Sequence, residues 1–206
     1  MAFEIAITNF ENGNEKTAYM TLPADGKTIA DTIEKAGICG ETILRICGCE
    51  KFPELVDADF DGKPTLDELN ILAEKLENVA KSDLDIAAYR GLLRDGIYTV
   101  RDAICCALNT NTVVVYRCKD FEEYGKLAMS DLLFGEFNNV PYKENGDVDY
   151  EKIGQIEHEK SGGYFIGDYY VITETYFDEI GFDEKTAQSE SGIDEEKNNI
   201  AMGGIS

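Results

Sequence analysis

An α+β fold built from three small modules is what this chain predicts, on three observations. Apolar and polar residues alternate over 3–22. Apolar residues recur every three or four positions from 65 to 108. A β-branched run at 113–116 then opens a stretch that mixes helix and hairpin signals. The modules read as 1–62 (mixed α and β), 63–110 (helical) and 111–175 (α+β), arranged as an elongated chain. An acidic segment, 176–206, is expected to be a flexible tail.

The elements follow in order. Phe3, Ile5 and Ile7 share one face of a strand, Asn9–Asn14 is turn-like, and Ala18, Met20 and Leu22 alternate again, which predicts an antiparallel pair. Thr28–Ala36 carries Ile29, Ile33 and Ala36 at helical spacing, with Gly37 as its stop. Thr42–Cys47 reads as a third short strand. Thr65 followed by Glu68 makes a capping box ahead of the stripe Leu66, Leu69, Leu72, Ala73 and Leu76. Ser82 with Asp85 opens a second helix and Thr99 a third. Val113–Tyr116 is a strand, and Asp120 with Glu123 caps a helix running to Leu133. Asp149–Glu159 predicts a short helix, and Gly167-Asp168 sits between two β-rich runs as a two-residue hairpin loop.

Charge sets the functional question. Forty-one Asp and Glu face nineteen Lys and Arg, a formal net charge of −22, while 43% of residues are hydrophobic. That much apolar sequence folds, so the acidity belongs to a folded surface that repels nucleic acid and attracts cationic partners. The bases stand singly among acids and form no stripe to neutralise phosphates, which excludes direct nucleic-acid binding. No run reaches membrane-spanning length and Met1–Gly13 has no leader pattern. A cytoplasmic protein with no membrane contact and six reduced cysteines is expected. There is no phosphate loop, no G-x-S-x-G and no oriented Cys–His pair, so no enzyme is expected. Cys39, Cys47, Cys49, Cys105 and Cys106 lack zinc-knuckle spacing and read as small buried hydrophobes. His158, between Glu157 and Glu159, reads as exposed.

Two carboxylate patterns carry chemistry. Asp57, Asp59 and Asp61 stand at positions 1, 3 and 5 of a twelve-residue loop, with Gly62 at 6 and Glu68 at 12, the pattern of an EF-hand calcium loop. Pro64 removes the backbone N–H that pairs one such loop with another, and Cys47–Pro53 interrupts any incoming helix. Glu68 also has an alternative role as the third residue of a capped helix. The expectation is that Thr65 caps the helix and that calcium produces no thermal shift. The second pattern is density. B-DNA carries one negative charge per about 1.7 Å of axis, and a protein displaying carboxylates comparably would offer a DNA-binding groove the same electrostatic partner. The candidate surface comprises Asp67, Glu74, Glu77, Asp83, Asp85, Asp120, Glu122, Glu123, Asp131, Glu136, Asp147, Asp149, Glu151, Glu157 and Glu159.

A family resemblance sharpens the second pattern. In order, IAITNFENGNEKTAYMTLP, DELNILAEKLENV, DIAAYRGLLRDG, VVVYRCKDFEEYGKLAMSDLLFGEF, a Val140-Pro141 step and DVDYEKIGQIEHEKSGGYFIGDYYVI span residues 3 to 174. Together they resemble the ArdA-type antirestriction proteins of conjugative elements and phages. The resemblance implies three small modules in an elongated, acidic, dimeric DNA mimic that occupies the DNA-binding site of type I restriction-modification enzymes. It also implies a dimer contact near Gly125–Pro141. There, Leu132, Leu133, Phe134 and Phe137 give more apolar surface than a one-sided helix needs, and they either fill the third module's core or join two copies. The chain departs from the family pattern in the Asp57–Glu68 loop, at Tyr142–Asp147 and after Thr175. The alternative functions are a calcium-binding acidic protein and a generic acidic interaction module.

Overall fold

The computed structural model describes residues 2–11, 14–56, 58–130 and 140–173. The expected α+β class is present as helices with two small antiparallel sheets. The first sheet contains β1 (Phe3–Glu11), β2 (Asn14–Leu22) and β3 (Thr42–Cys49) in the order β2-β1-β3. Period-two alternation sets its register. Phe3 lies opposite Leu22, Ile5 opposite Met20 and Ile7 opposite Ala18, so all six apolar side chains turn to one face and are buried. β3 pairs with the other side of β1 and runs two residues beyond the expected end.

α1 (Gly26–Ala36) begins two residues before Thr28, because Asp25 is its cap: the Asp25 carboxylate accepts the Thr28 amide at 2.7 Å. Gly37 ends it at φ +61°, a left-handed conformation that suits a residue with no Cβ. The helices α2 (Leu66–Val79), α3 (Asp83–Arg94) and α4 (Val100–Leu108) each start at the hydroxyl read from the sequence, Thr65, Ser82 and Thr99. Thr65 with Glu68 and Thr99 with Asp102 form full capping boxes. Leu69, Leu72, Ala73 and Leu76 are fully buried, and they join the inner face of the first sheet in one continuous core that also includes Tyr89, Leu92, Ala103 and Ile104.

The second sheet is built from β4 (Val114–Arg117), β5 (Tyr164–Ile166) and β6 (Tyr169–Ile172) in the order β4-β6-β5. Ile166 lies opposite Tyr169 across Gly167-Asp168, the predicted hairpin loop. Two helices pack beside it. In α5 (Phe121–Ser130), Asp120 accepts the Glu123 amide at 2.9 Å; in α6 (Tyr150–Ser161), Asp149 accepts the Lys152 amide at 3.1 Å. The two cross through Gly125 and Gly154. A Cβ at Gly125 would stand 1.9 Å from the Tyr150 carbonyl oxygen, and one at Gly154 1.9 Å from that of Phe121. Each glycine Cα–H therefore faces a carbonyl of the opposite helix.

Three expectations are corrected here. His158 is half-buried instead of exposed: its Nδ1 is 2.8 Å from the Tyr170 hydroxyl and its ring lies 5.2 Å from that of Phe121. Two acidic neighbours in sequence say nothing about the inward-turned side of a helix. Glu157 is buried at 4% exposure, so it is not part of a displayed surface; Lys160 one turn on holds it. Cys39 and Cys47 are exposed, Cys105 is half-buried, and only Cys49, Cys106 and Cys118 are buried. Cys47 falls on the outward side of β3, and Cys39 lies in the connection after α1.

That division gives a direct prediction. Burial pushes the thiols of Cys49 and Cys118 up to about 11 and that of Cys106 to about 12, which suppresses the reactive thiolate. An alkylating reagent at neutral pH should modify Cys39 and Cys47 first, the half-buried Cys105 more slowly, and Cys49, Cys106 and Cys118 only on unfolding; peptide mass mapping against time checks this.

Candidate functional site

The helix ends sort the candidate carboxylates into two groups. Asp67, Asp83, Asp85, Glu122, Glu123 and Glu151 occupy first turns, and Asp120 and Asp149 accept the opening amide bonds of α5 and α6. Negative charge there stabilises each helix through its dipole, so these residues have a local reason to be acidic. Glu74, Glu77 and Glu159 have no such reason. All three are exposed; Glu74 is mid-helix, and Glu77 and Glu159 are each third from the end of α2 and α6, where a cation would be favoured. Nothing in the helix asks for these three acids.

Ion pairing divides the surface a second way. Lys126 reaches Glu122 at 2.7 Å, Lys119 reaches Glu123 at 3.2 Å, and Lys160 holds Glu157. Pairing with Lys126 keeps Glu122 below the usual carboxylate range. Among the described residues Asp67, Glu74, Glu77, Asp83, Asp85, Asp147, Glu151 and Glu159 have no ion-pair partner. Their field reaches solvent uncompensated. Asp147 lies in the exposed turn closed by the Tyr142–Val148 bridge. Asp131 and Glu136, like Leu132, Leu133, Phe134 and Phe137, lie outside the described residues.

Magnitude bears on what such a surface can imitate. The fourteen residues of α2 span about 21 Å, a length over which duplex DNA carries roughly twelve phosphates. α2 offers three unpaired carboxylates, Asp67, Glu74 and Glu77. One helix does not reach duplex density; several elements must contribute together.

In the calcium-like loop, Asp59 and Asp61 are exposed, and Asp57 lies outside the described residues. Glu68 is engaged elsewhere. Its Oε2 accepts the Thr65 amide at 3.0 Å and the Thr65 hydroxyl at 2.9 Å, and its Oε1 accepts Nε of Arg101 at 3.0 Å. The expected Thr65 cap is therefore present, with an added tie from α2 to α4 that no short-range signal announces. Among the described residues no three His, Cys, Asp or Glu side chains converge as metal ligands. Burial works to raise the Glu68 pKa, but the Thr65 amide and the Arg101 guanidinium outweigh it and hold the carboxyl below its ordinary 4.5. A depressed folded-state pKa contributes stability above the unfolded value and loses it as pH falls through the folded one. The stability advantage of the native chain over Glu68→Gln should be full above about pH 5 and vanish in acid, as thermal melts across pH 2–7 would show.

No protein-family model, curated protein or solved structure significantly matches the chain. No helix among the described residues is long and apolar enough to cross a membrane.

Proposed function

We propose that the protein is a non-enzymatic DNA mimic that inhibits type I restriction-modification enzymes by occupying their DNA-binding site. The observation that carries this reading is the set of exposed, unpaired carboxylates on successive helices of a −22 chain, including Glu74, Glu77 and Glu159, which no helix end requires. A generic solubility surface needs excess charge but has no reason to place it against the helix dipole, as Glu77 and Glu159 are placed. The resemblance of the order of segments to ArdA-type proteins supports the target class, and assembly as an elongated homodimer of three-module chains belongs to the same reading. Binding of this kind replaces phosphates at lysines and arginines of the enzyme, so it weakens as salt rises.

The test is competition. A labelled duplex bearing the recognition sequence is bound to a purified type I enzyme and displaced by the protein at several salt concentrations. Displacement that loses strength steeply with salt supports mimicry. Failure to displace DNA at low salt and high micromolar protein overturns it.

A further inference from the structure

We propose that the outer edge of β3 is a docking site for an extended peptide that alternates apolar with acidic residues, added as a fourth strand beside Thr42–Ile46. In the order β2-β1-β3, β3 pairs among the described residues only with β1. Among the described residues, Thr42–Ile46 make no backbone hydrogen bonds outside that pairing. An unpaired edge is a template for another strand.

Beside this edge lies a groove of about 270 Å³. Five consecutive strand residues, 42–46, line it, whereas a cavity over one sheet face would touch alternate residues. The space therefore runs along the backbone edge. Its far wall is the 58–64 connection, and its apolar floor includes Leu69 and Ile46, both buried. A groove walled on both sides receives a lone strand. The β3 edge of a second copy carries a 58–64 wall of its own, so the shape favours a lone strand over self-pairing.

Charge selects the occupant. Arg45 stands on one wall and Lys63 on the other, with Asp59 the one acid among the lining residues. In a chain where acids outnumber bases 41 to 19, that is a local inversion of sign. Lys63 is paired with Glu41, whereas Arg45 is exposed and has no ion pair among the described residues. Side chains of an added strand alternate between the two sheet faces. Those on the buried side meet Leu44 and Ile46, which favours apolar residues. Those on the outer side meet Ile43, 44% exposed, and Arg45, which favours an acidic residue.

The experiment exploits opposed signs. The probes are a fluorescent heptapeptide alternating valine with glutamate, its lysine counterpart, and a glutamate version with N-methylated backbone amides, each titrated into the full chain. The overall −22 field favours the lysine peptide; the groove favours the glutamate one. The expected result is saturable binding of the glutamate peptide, loss of binding on N-methylation, and slower amide hydrogen exchange at Thr42–Ile46. Arg45→Glu, whose melting curve should match the native one, should weaken binding about tenfold. Tighter binding of the lysine peptide, indifference to N-methylation, unchanged exchange at Thr42–Ile46, or an Arg45→Glu variant that binds equally well would each overturn the assignment. The outcome is independent of DNA competition.

Discussion

Gly154→Ala should be among the most damaging single-atom-scale changes in this chain, costing about 3 kcal/mol. The added methyl would arrive 1.9 Å from the Phe121 carbonyl oxygen, and the obstacle is backbone, not a side chain that can rotate away. α5 and α6 must move apart, which loses the reciprocal approach at Gly125 and loosens the packing of Tyr124 against Tyr170, whose rings lie 4.1 Å apart. For a chain of this size the loss corresponds to a fall in melting temperature of roughly 6–12 °C. Gly125→Ala should behave alike. Gly26→Ala, with open space at the first residue of α1, should be neutral or slightly stabilising. Melting followed by tyrosine near-ultraviolet dichroism compares all three. A Gly154→Ala protein melting within 2 °C of the native one would sink the close-approach account.

The triple change Glu74→Gln, Glu77→Gln and Glu159→Gln should separate function from fold. Removing negative charge at Glu77 and Glu159 from the last turns of α2 and α6 relieves an unfavourable dipole interaction, and the mid-helix change at Glu74 is neutral in this respect, so the melting temperature should hold or rise. Competition with DNA should weaken by roughly ten- to a hundredfold, at about 0.5–1 kcal/mol for each lost charge contact. The salt dependence of inhibition should flatten as well, because fewer counterions are exchanged. A control replacing Asp67 and Asp83 should do the reverse on stability, since those acids sit in first turns. Full inhibition by the triple variant would show that the carboxylates most free of structural duty are not the working ones.

What was legible in advance was what short stretches of chain decide by themselves. Capping boxes at Thr65–Glu68, the Asp120–Glu123 cap, the period-two pattern of Phe3, Ile5 and Ile7, and the Gly167-Asp168 loop depend on neighbours within a few residues, and the structure contains each. The residues that went unread depend on distant partners. Glu157 is buried because α6 turns that side toward the interior, and His158 is drawn inward by Tyr170 from β6 and Phe121 from α5. Arg101 reaches Glu68 across two helices. Gly125 and Gly154 carry no short-range signal of their own, and the crossing of α5 and α6 explains them. Of the candidate surface, the identity of the acids was plain from the start. Which of them are paired, buried or placed against a helix dipole became visible only with the elements in place.

The two sheets differ in when their middle strand is made. In the first, β1 is both the opening strand and the centre, so the template is waiting when β2 and β3 leave the ribosome. In the second, the centre is β6, the last strand among the described residues: β4 and β5 have nothing between them until Tyr169–Ile172 has emerged. Synthesis proceeds at about 5–20 residues per second, so β4 spends several seconds as an unpaired, β-branched segment on the nascent chain. A chaperone captured during translation should therefore cross-link to Val114–Arg117 and release it once β6 has cleared the exit tunnel, whereas Phe3–Glu11 should be protected long before.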